Sequence, residues 1–273
     1  IEELRVKAGF YDPWYVQYYN WITNAAQGEF GQSYTFKKPV ADIIGDRAMN
    51  TLLLALVSVI LVYLIAIPLG VLAGRYTDTL IDKGIVLYSF ISFAIPAFVL
   101  YLIFLYVFGY RLMWFPTSGT VDVGLDPGTW EYYWNKFYHL VLPAISYAIL
   151  GTTGIIQYLR SEIIDAKMMD YVKTARSKGI PMKKVYSRHI FRNSLLPIAA
   201  FLGFTITGLL GGSIFIETVF AYPGMGKLFI ESILGRDYSV ITALVMLYGF
   251  LALLGSLLSD IILSIVDPRI RID

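Results

Sequence analysis

An all-α polytopic membrane protein is the fold class that three features of this chain predict. Of its 273 residues 57% are hydrophobic and only 15% charged, and the mean hydropathy is +0.62, far more apolar than a soluble domain of this length needs. Five uncharged apolar runs reach the roughly 20 residues that a helix needs to cross the hydrocarbon core. The basic residues between those runs are unevenly distributed, which orients the chain.

The runs, in order, are Thr51 to Ala73, Ile85 to Phe108, Leu140 to Leu159, Leu195 to Phe215 and Val240 to Ser259. Each carries Gly or Pro (Pro68, Pro96, Pro143, Pro197 and Gly255 among them), which membrane helices tolerate because neighbouring helices satisfy the freed backbone groups. Gly70-x-x-x-Gly74 and Gly208-x-x-x-Gly212 predict close helix packing, with a partner subunit as one candidate neighbour. Loops 75–83 and 160–194 and the tail 267–273 hold thirteen Lys/Arg, against nine in 1–50, 109–138 and 216–237. The first set is therefore cytoplasmic.

This division makes residues 1–50 an extracytoplasmic N-terminal region and 51–273 a transmembrane domain with a cytoplasmic loop at 160–194 and a cytoplasmic C-terminus. Since the chain opens at Ile1 with fifty residues to place outside, a further N-terminal span is expected, giving six helices in the intact subunit. A cleaved signal peptide is the alternative. Aromatic residues gather outside the spans, from Tyr11 to Trp21 and from Trp130 to Tyr138. They read as an interfacial belt, or alternatively as a surface that stacks substrate.

Most catalytic chemistries find no support. Cysteine is absent, which removes disulfides, thiolate metal sites and a cysteine nucleophile. The two histidines, His139 and His189, fall on opposite sides of the membrane, so no His-based metal or catalytic site is expected. Tyr222-Pro-Gly-Met-Gly-Lys227-Leu resembles the end of a phosphate-binding loop, but Ala221 stands where a Gly is needed and Leu228 where Ser or Thr would hold magnesium. It reads as a Pro-Gly turn. No ionisable residue lies deep in a span, and Asp260 sits near the inner end of the last one, so no proton or sodium relay is visible. Uphill transport would need energy from another subunit. A net charge of +2 is too small to imply nucleic acid.

The informative stretch is the central loop. Ile164, Met168, Tyr171, Val172 and Ala175 recur at helical spacing, with Asp165, Lys173 and Arg176 turned away, so residues 162 to 178 are predicted as one amphipathic helix. Gly179 ends it and Pro181 enforces the break. A second helix from about Met182 aligns Lys184, Arg188 and Arg192 in a basic stripe suited to membrane lipid headgroups or an acidic protein surface.

The same loop carries a resemblance. Asp170-Tyr-Val-x-Thr-Ala-Arg-x-Lys-Gly179 and Arg188-His-x-x-Arg-Asn-x-Leu-Leu-Pro197, with Glu217-Thr-Val-Phe-x-x-Pro-Gly-x-Gly226, Arg236-Asp-Tyr238 and Asp267-Pro-Arg, are similar to the permease subunits of binding-protein-dependent ABC importers of the dipeptide, oligopeptide and nickel branch. Tyr15-Val-Gln-Tyr, Gly28-Glu-Phe-Gly31-x-Ser33 and Asn50-Thr-Leu-Leu extend the likeness over nearly the whole chain. Lys173-Thr174-Ala175 replaces the Glu-Ala-Ala of the general importer signature, and the Gly-to-Pro spacing is longer, so the role of the family's glutamate does not transfer.

The resemblance implies a prokaryotic cytoplasmic-membrane permease without chemistry or cofactor of its own. ATP and magnesium would sit in two partner ATPase subunits, a homologous second permease would complete the pathway, and an extracytoplasmic binding protein would deliver peptide. Asp170, Tyr171, Lys173, Thr174, Ala175, Arg176, Lys178 and Gly179 would form the ATPase-coupling helix. Nickel or another small solute is the alternative cargo, and a membrane-embedded enzyme acting on lipid-linked substrate is the rival class.

Overall fold

The computed structural model describes residues 11–210 and 214–266. Among these the secondary structure is helical apart from one isolated bridge, Gln32 to Pro39. The helices are α1 Trp14–Ala26, α2 Val40–Arg75, α3 Leu80–Ala94, α4 Ala97–Phe104 (extended by a π-helical Leu105–Arg111), α5 Trp130–Met168, α6 Asp170–Ser177 and α7 Met182–Lys184 (extended by a π-helical Val185–Ile190). They are followed by α8 Phe191–Ser194, α9 Leu196–Leu210, α10 Ile214–Val219, α11 Met225–Leu234 and α12 Tyr238–Val266.

Three of the five expected spans lie in single helices long and apolar enough to cross a membrane: α2, α5 and α12. Each outruns its apolar run. α2 starts at Val40, straight after Pro39, so the expected boundary at residue 50 falls inside a helix; the segment 40–50 adds Asp42, Asp46 and Arg47 beyond the apolar core. The second span differs from expectation. Instead of one helix over Ile85 to Phe108, α3 and the helix starting at Ala97 meet at 100°. Ile95 is extended (ψ 123°) ahead of Pro96, the conformation that steric clash with a following proline ring favours. Pro68 and Pro143, by contrast, sit inside continuous helices. The fourth span, Leu195 to Phe215, includes α9 and then runs across residues outside the described set.

α2 and α5 form the spine. A Cβ added at Gly70 would lie 3.0 Å from Leu159, and one at Gly74 2.7 Å from Ile163. Gly70 and Gly74 thus lie against α5 of the same chain. Gly208 has open space around it, and Gly212 is outside the described residues. Four apolar clusters line the spine, from Val40, Ile44, Leu228 and Leu244 at one end to Ile163, Val172, Val185 and Ile190 at the other.

At the N-terminal end of α2, blocks far apart in sequence close into one buried network. Glu217 is fully buried; it accepts from Thr51 Oγ1 at 2.9 Å and from the Lys227 N–H at 2.9 Å. Thr51 in turn accepts from the Met225 N–H at 2.8 Å, and Asn50 Nδ2 donates to the Pro223 carbonyl at 3.0 Å. A Cβ at Gly224 would collide with the Glu217 carboxyl, so only glycine fits there. The loop that looks like a phosphate site therefore gives the Lys227 N–H to an internal carboxylate. His139 is buried beside Asp122, 3.3 Å away, whereas His189 belongs to the π-helical turn near the opposite end of α5.

Asp237 closes a second clasp, accepting from Ser33 Oγ and from the Thr35 N–H at 2.9 Å. Burial pushes its pKa up, but bonds from Ser33 and from the backbone N–H groups of Thr35, Tyr34 and Val240 outweigh this and hold it below the usual Asp range. A carboxyl with a depressed native pKa stabilises fully above its unfolded pKa of about 4, and the contribution is lost as pH falls through the lower native value. Asp237→Asn should lower the thermal midpoint in detergent at pH 7, and the gap to wild type should narrow steadily below about pH 4. A gap independent of pH would contradict the ionised clasp.

Candidate functional site

The loop after α5 is built as a short helix standing off the spine. Met169 is extended (ψ 147°), which stops α5 at Met168 and lets α6 start afresh at Asp170. The expected single helix over 162–178 is thus two helices, broken at Met169. The break changes which residues face inward. Ile163, Ala166, Val172 and Ala175 are buried together, while Met168 and Tyr171, expected on the apolar face, are exposed. No Gly or Pro marks the break.

The end of α6 is a Schellman motif. Gly179 has φ +71°, its N–H donates to the Arg176 carbonyl at 2.9 Å, and the Ile180 N–H reaches back to the Ala175 carbonyl at 3.2 Å. Ile180 then packs on the same buried cluster as Ala175. Pro181 caps α7, and the π-helical turn after it places Val185 and Ile190, five residues apart, both inward. Lys184, Arg188 and Arg192 are all exposed.

Polar bonds fix the loop to the spine. Arg160 holds Asp82 with two bonds, Nε to Oδ1 at 2.6 Å and Nη2 to Oδ2 at 2.8 Å, and Asp82 also accepts from the Asp78 N–H at 2.9 Å. Lys167 Nζ donates to Thr77 Oγ1 at 3.0 Å, and the Arg75 guanidinium lies 5.0 Å from the Tyr186 ring centroid. Loop 75–83 and segment 160–190 are therefore one assembly. Asp82 and Arg160 were not legible as a pair, since 78 residues separate them; one of two acids in a short loop and an arginine at the end of an apolar run were the available signals.

What α6 presents outward is mixed. Asp170, Lys173, Thr174, Arg176, Ser177 and Lys178 are exposed, with Asp170 and Lys173 paired at 2.9 Å in the open, where such a pair contributes little. Met168 (73% exposed), Met169 (50%) and Met182 (46%) flank this face. Polarisable, flexible side chains beside cations and hydroxyls suit an adaptable protein contact. Val172 and Ala175 point the other way, into the buried cluster beneath. Among the described residues no group of three or more His, Asp or Glu is placed to hold a metal ion.

Known proteins are similar to this chain over most of its length. Residues 66–272 match the family described as binding-protein-dependent transport system inner membrane component. The chain is 42% identical over 271 residues to the oligopeptide transport system permease protein AppB of Bacillus subtilis (strain 168), covering 99% of this chain and 84% of that protein. It is 32% identical over 271 residues to the glutathione transport system permease protein GsiC of Escherichia coli O1:K1 / APEC, again covering 99% and 84%. A chain of the MetNI methionine ABC transporter in an inward-facing conformation superposes with a TM-score of 0.63 over 82% of this chain and 96% of that one, at 16% identity. That likeness establishes the fold.

At Gly179 the constraint is backbone conformation alone, because nothing lies within 4 Å of an added Cβ. Gly179→Val should strain the cap by about 1–3 kcal/mol and speed limited tryptic cleavage of residues 170–194, whereas Gly179→Asn, which tolerates positive φ, should stay close to wild type. Equal cleavage of the Val variant and wild type would show that the cap does not hold α6 in place.

Proposed function

We infer that this chain, which belongs to the binding-protein-dependent transport system inner membrane component family and so is a permease subunit of an ABC importer, lines half of a pathway for peptides and docks on a cytoplasmic ATPase through α6. The observation that carries the docking role is geometric. α6 is detached from α5 by the break at Met169, stopped by Gly179, anchored underneath by Val172 and Ala175, and bare on its outer face. A plain connector needs none of these.

The remaining parts follow from the class. Two ATPase subunits supply the energy that no residue in the spans provides, a homologous second permease completes the pathway, and an extracytoplasmic binding protein delivers the cargo. Peptide is the favoured cargo because relatives that align over 99% of this chain are named for oligopeptide and glutathione transport. The excess of Lys/Arg in loops 75–83 and 160–194 supports their cytoplasmic placement. In this orientation the Glu217 and Asp237 clasps stand on the outer side, within reach of the binding protein.

Cysteines at Thr174 and Ser177, both exposed, should cross-link to the ATPase subunit in the assembled transporter, with a yield that changes when nucleotide binds. Val172→Cys, whose parent residue is fully buried, should not, and Ala175, at 4% exposure, is a poor position for the same reason. An impermeant thiol reagent added outside should label Thr120→Cys and spare Ser187→Cys. Absence of any cross-link from 174 and 177 in an intact complex, or outside labelling of both 120 and 187, would refute the docking role or the orientation respectively.

A further inference from the structure

We propose that the cleft between α2 and the π-helical turn after α7 is a binding site for one anionic phospholipid of the inner leaflet. The cleft encloses about 370 Å³. One wall is the last two turns of α2, with Ile67 and Val71 above Arg75, and the other descends from Phe191 and Ile190 through Tyr186 to Lys183. α2 runs into the loop and the π-helical turn runs back out of it, so both cations stand at the loop end and the apolar side chains at the membrane end. This gradient is that of a phospholipid: acyl chain against the walls, phosphate between the cations.

The cations are free to take a phosphate. Among the described residues neither Arg75 nor Lys183 is paired with a carboxylate. The Arg75 guanidinium carbon instead lies over the rings of Tyr76 and Tyr186, 5.2 Å and 5.0 Å from their centroids. Ring contacts of this kind hold a guanidinium in place without using its N–H donors. Soluble phosphate would satisfy the charges and leave the apolar walls wet, while an acidic protein segment would leave them unmatched to a leaflet that already borders them. The cleft also adjoins the loop assembly, since Ile163 lines it and packs in the cluster under α6. The inference rests on the chain's placement in the membrane and is independent of its cargo.

The test uses the intact transporter in nanodiscs of neutral phosphatidylcholine with or without phosphatidylglycerol, read by native mass spectrometry for retained lipid and by the thermal midpoint. Wild type should retain phosphatidylglycerol and melt higher in its presence. Arg75→Gln/Lys183→Gln should weaken retention at least about tenfold, as loss of two juxtamembrane cations implies. Val71→Trp, which fills the cleft and keeps both charges, should do the same. Lys184→Gln/Arg192→Gln, an equal change of charge on exposed residues outside the cleft lining, should retain the lipid. Equal loss in that control would reduce the effect to diffuse surface attraction and overturn the site. So would stabilisation by inorganic phosphate in neutral discs matching that by lipid, or no retained phosphatidylglycerol in wild type.

Discussion

The half of this protein nearest α6 depends on how closely α2 approaches α5. Gly70 and Gly74 let Leu159 and Ile163 reach the α2 backbone, and one turn of α5 between them presents Arg160 to Asp82. The pair is largely shielded: the Asp82 side chain is 3% exposed and that of Arg160 24%. Removing Arg160 would leave the shielded Asp82 carboxylate without its charge partner, a destabilising change. Bulk at Gly74 would push the helices apart and weaken the same ion pair. Close packing and the ion pair are therefore two aspects of one contact.

This contact also supports the cluster beneath α6. Ile163 lies one turn beyond Leu159 and Arg160, packs on Gly74, and belongs to the buried cluster with Val172, Ala175, Val185 and Ile190. A force on the outer face of α6 thus bears on a packed cluster whose floor is the spine itself, and protein interiors at crystal-like density transmit displacement rather than absorbing it. At the opposite end Glu217 ties α2 to α11, and Asp237 ties the segment just before α2 to the loop before α12. The spine is held at both ends by buried carboxylates, one ion-paired and two supported by hydrogen bonds.

Much of this was legible in the sequence, for identifiable reasons. Apolar runs of about 20 residues marked the helices that became α2, α5 and α12, because lipid imposes length and composition together. Gly179 was legible because only a residue at ease with positive φ ends a helix in this way. The break at Met169 was not, since an extended ψ at a methionine has no compositional signature. Neither was the bend at Pro96: Pro68 and Pro143 are carried through intact helices, so proline alone does not distinguish a kink from a break. Long-range partners such as Asp82 with Arg160, or Ser33 with Asp237, have no local pattern at all. The blocks Asn50-Thr51 and Glu217 to Gly226 were visible as separate motifs, but that they complete one carboxylate site is a property of the fold.

The claim that α6 is the docking element is tested most directly by hydrogen exchange in the assembled transporter and in the permease stripped of its ATPase subunits. The account predicts that amides 170–180 become more protected when the ATPase is bound, while the Asp237 clasp at 235–240 is unchanged. Identical exchange at 170–180 in the two states, with the complex shown to be assembled, would contradict it.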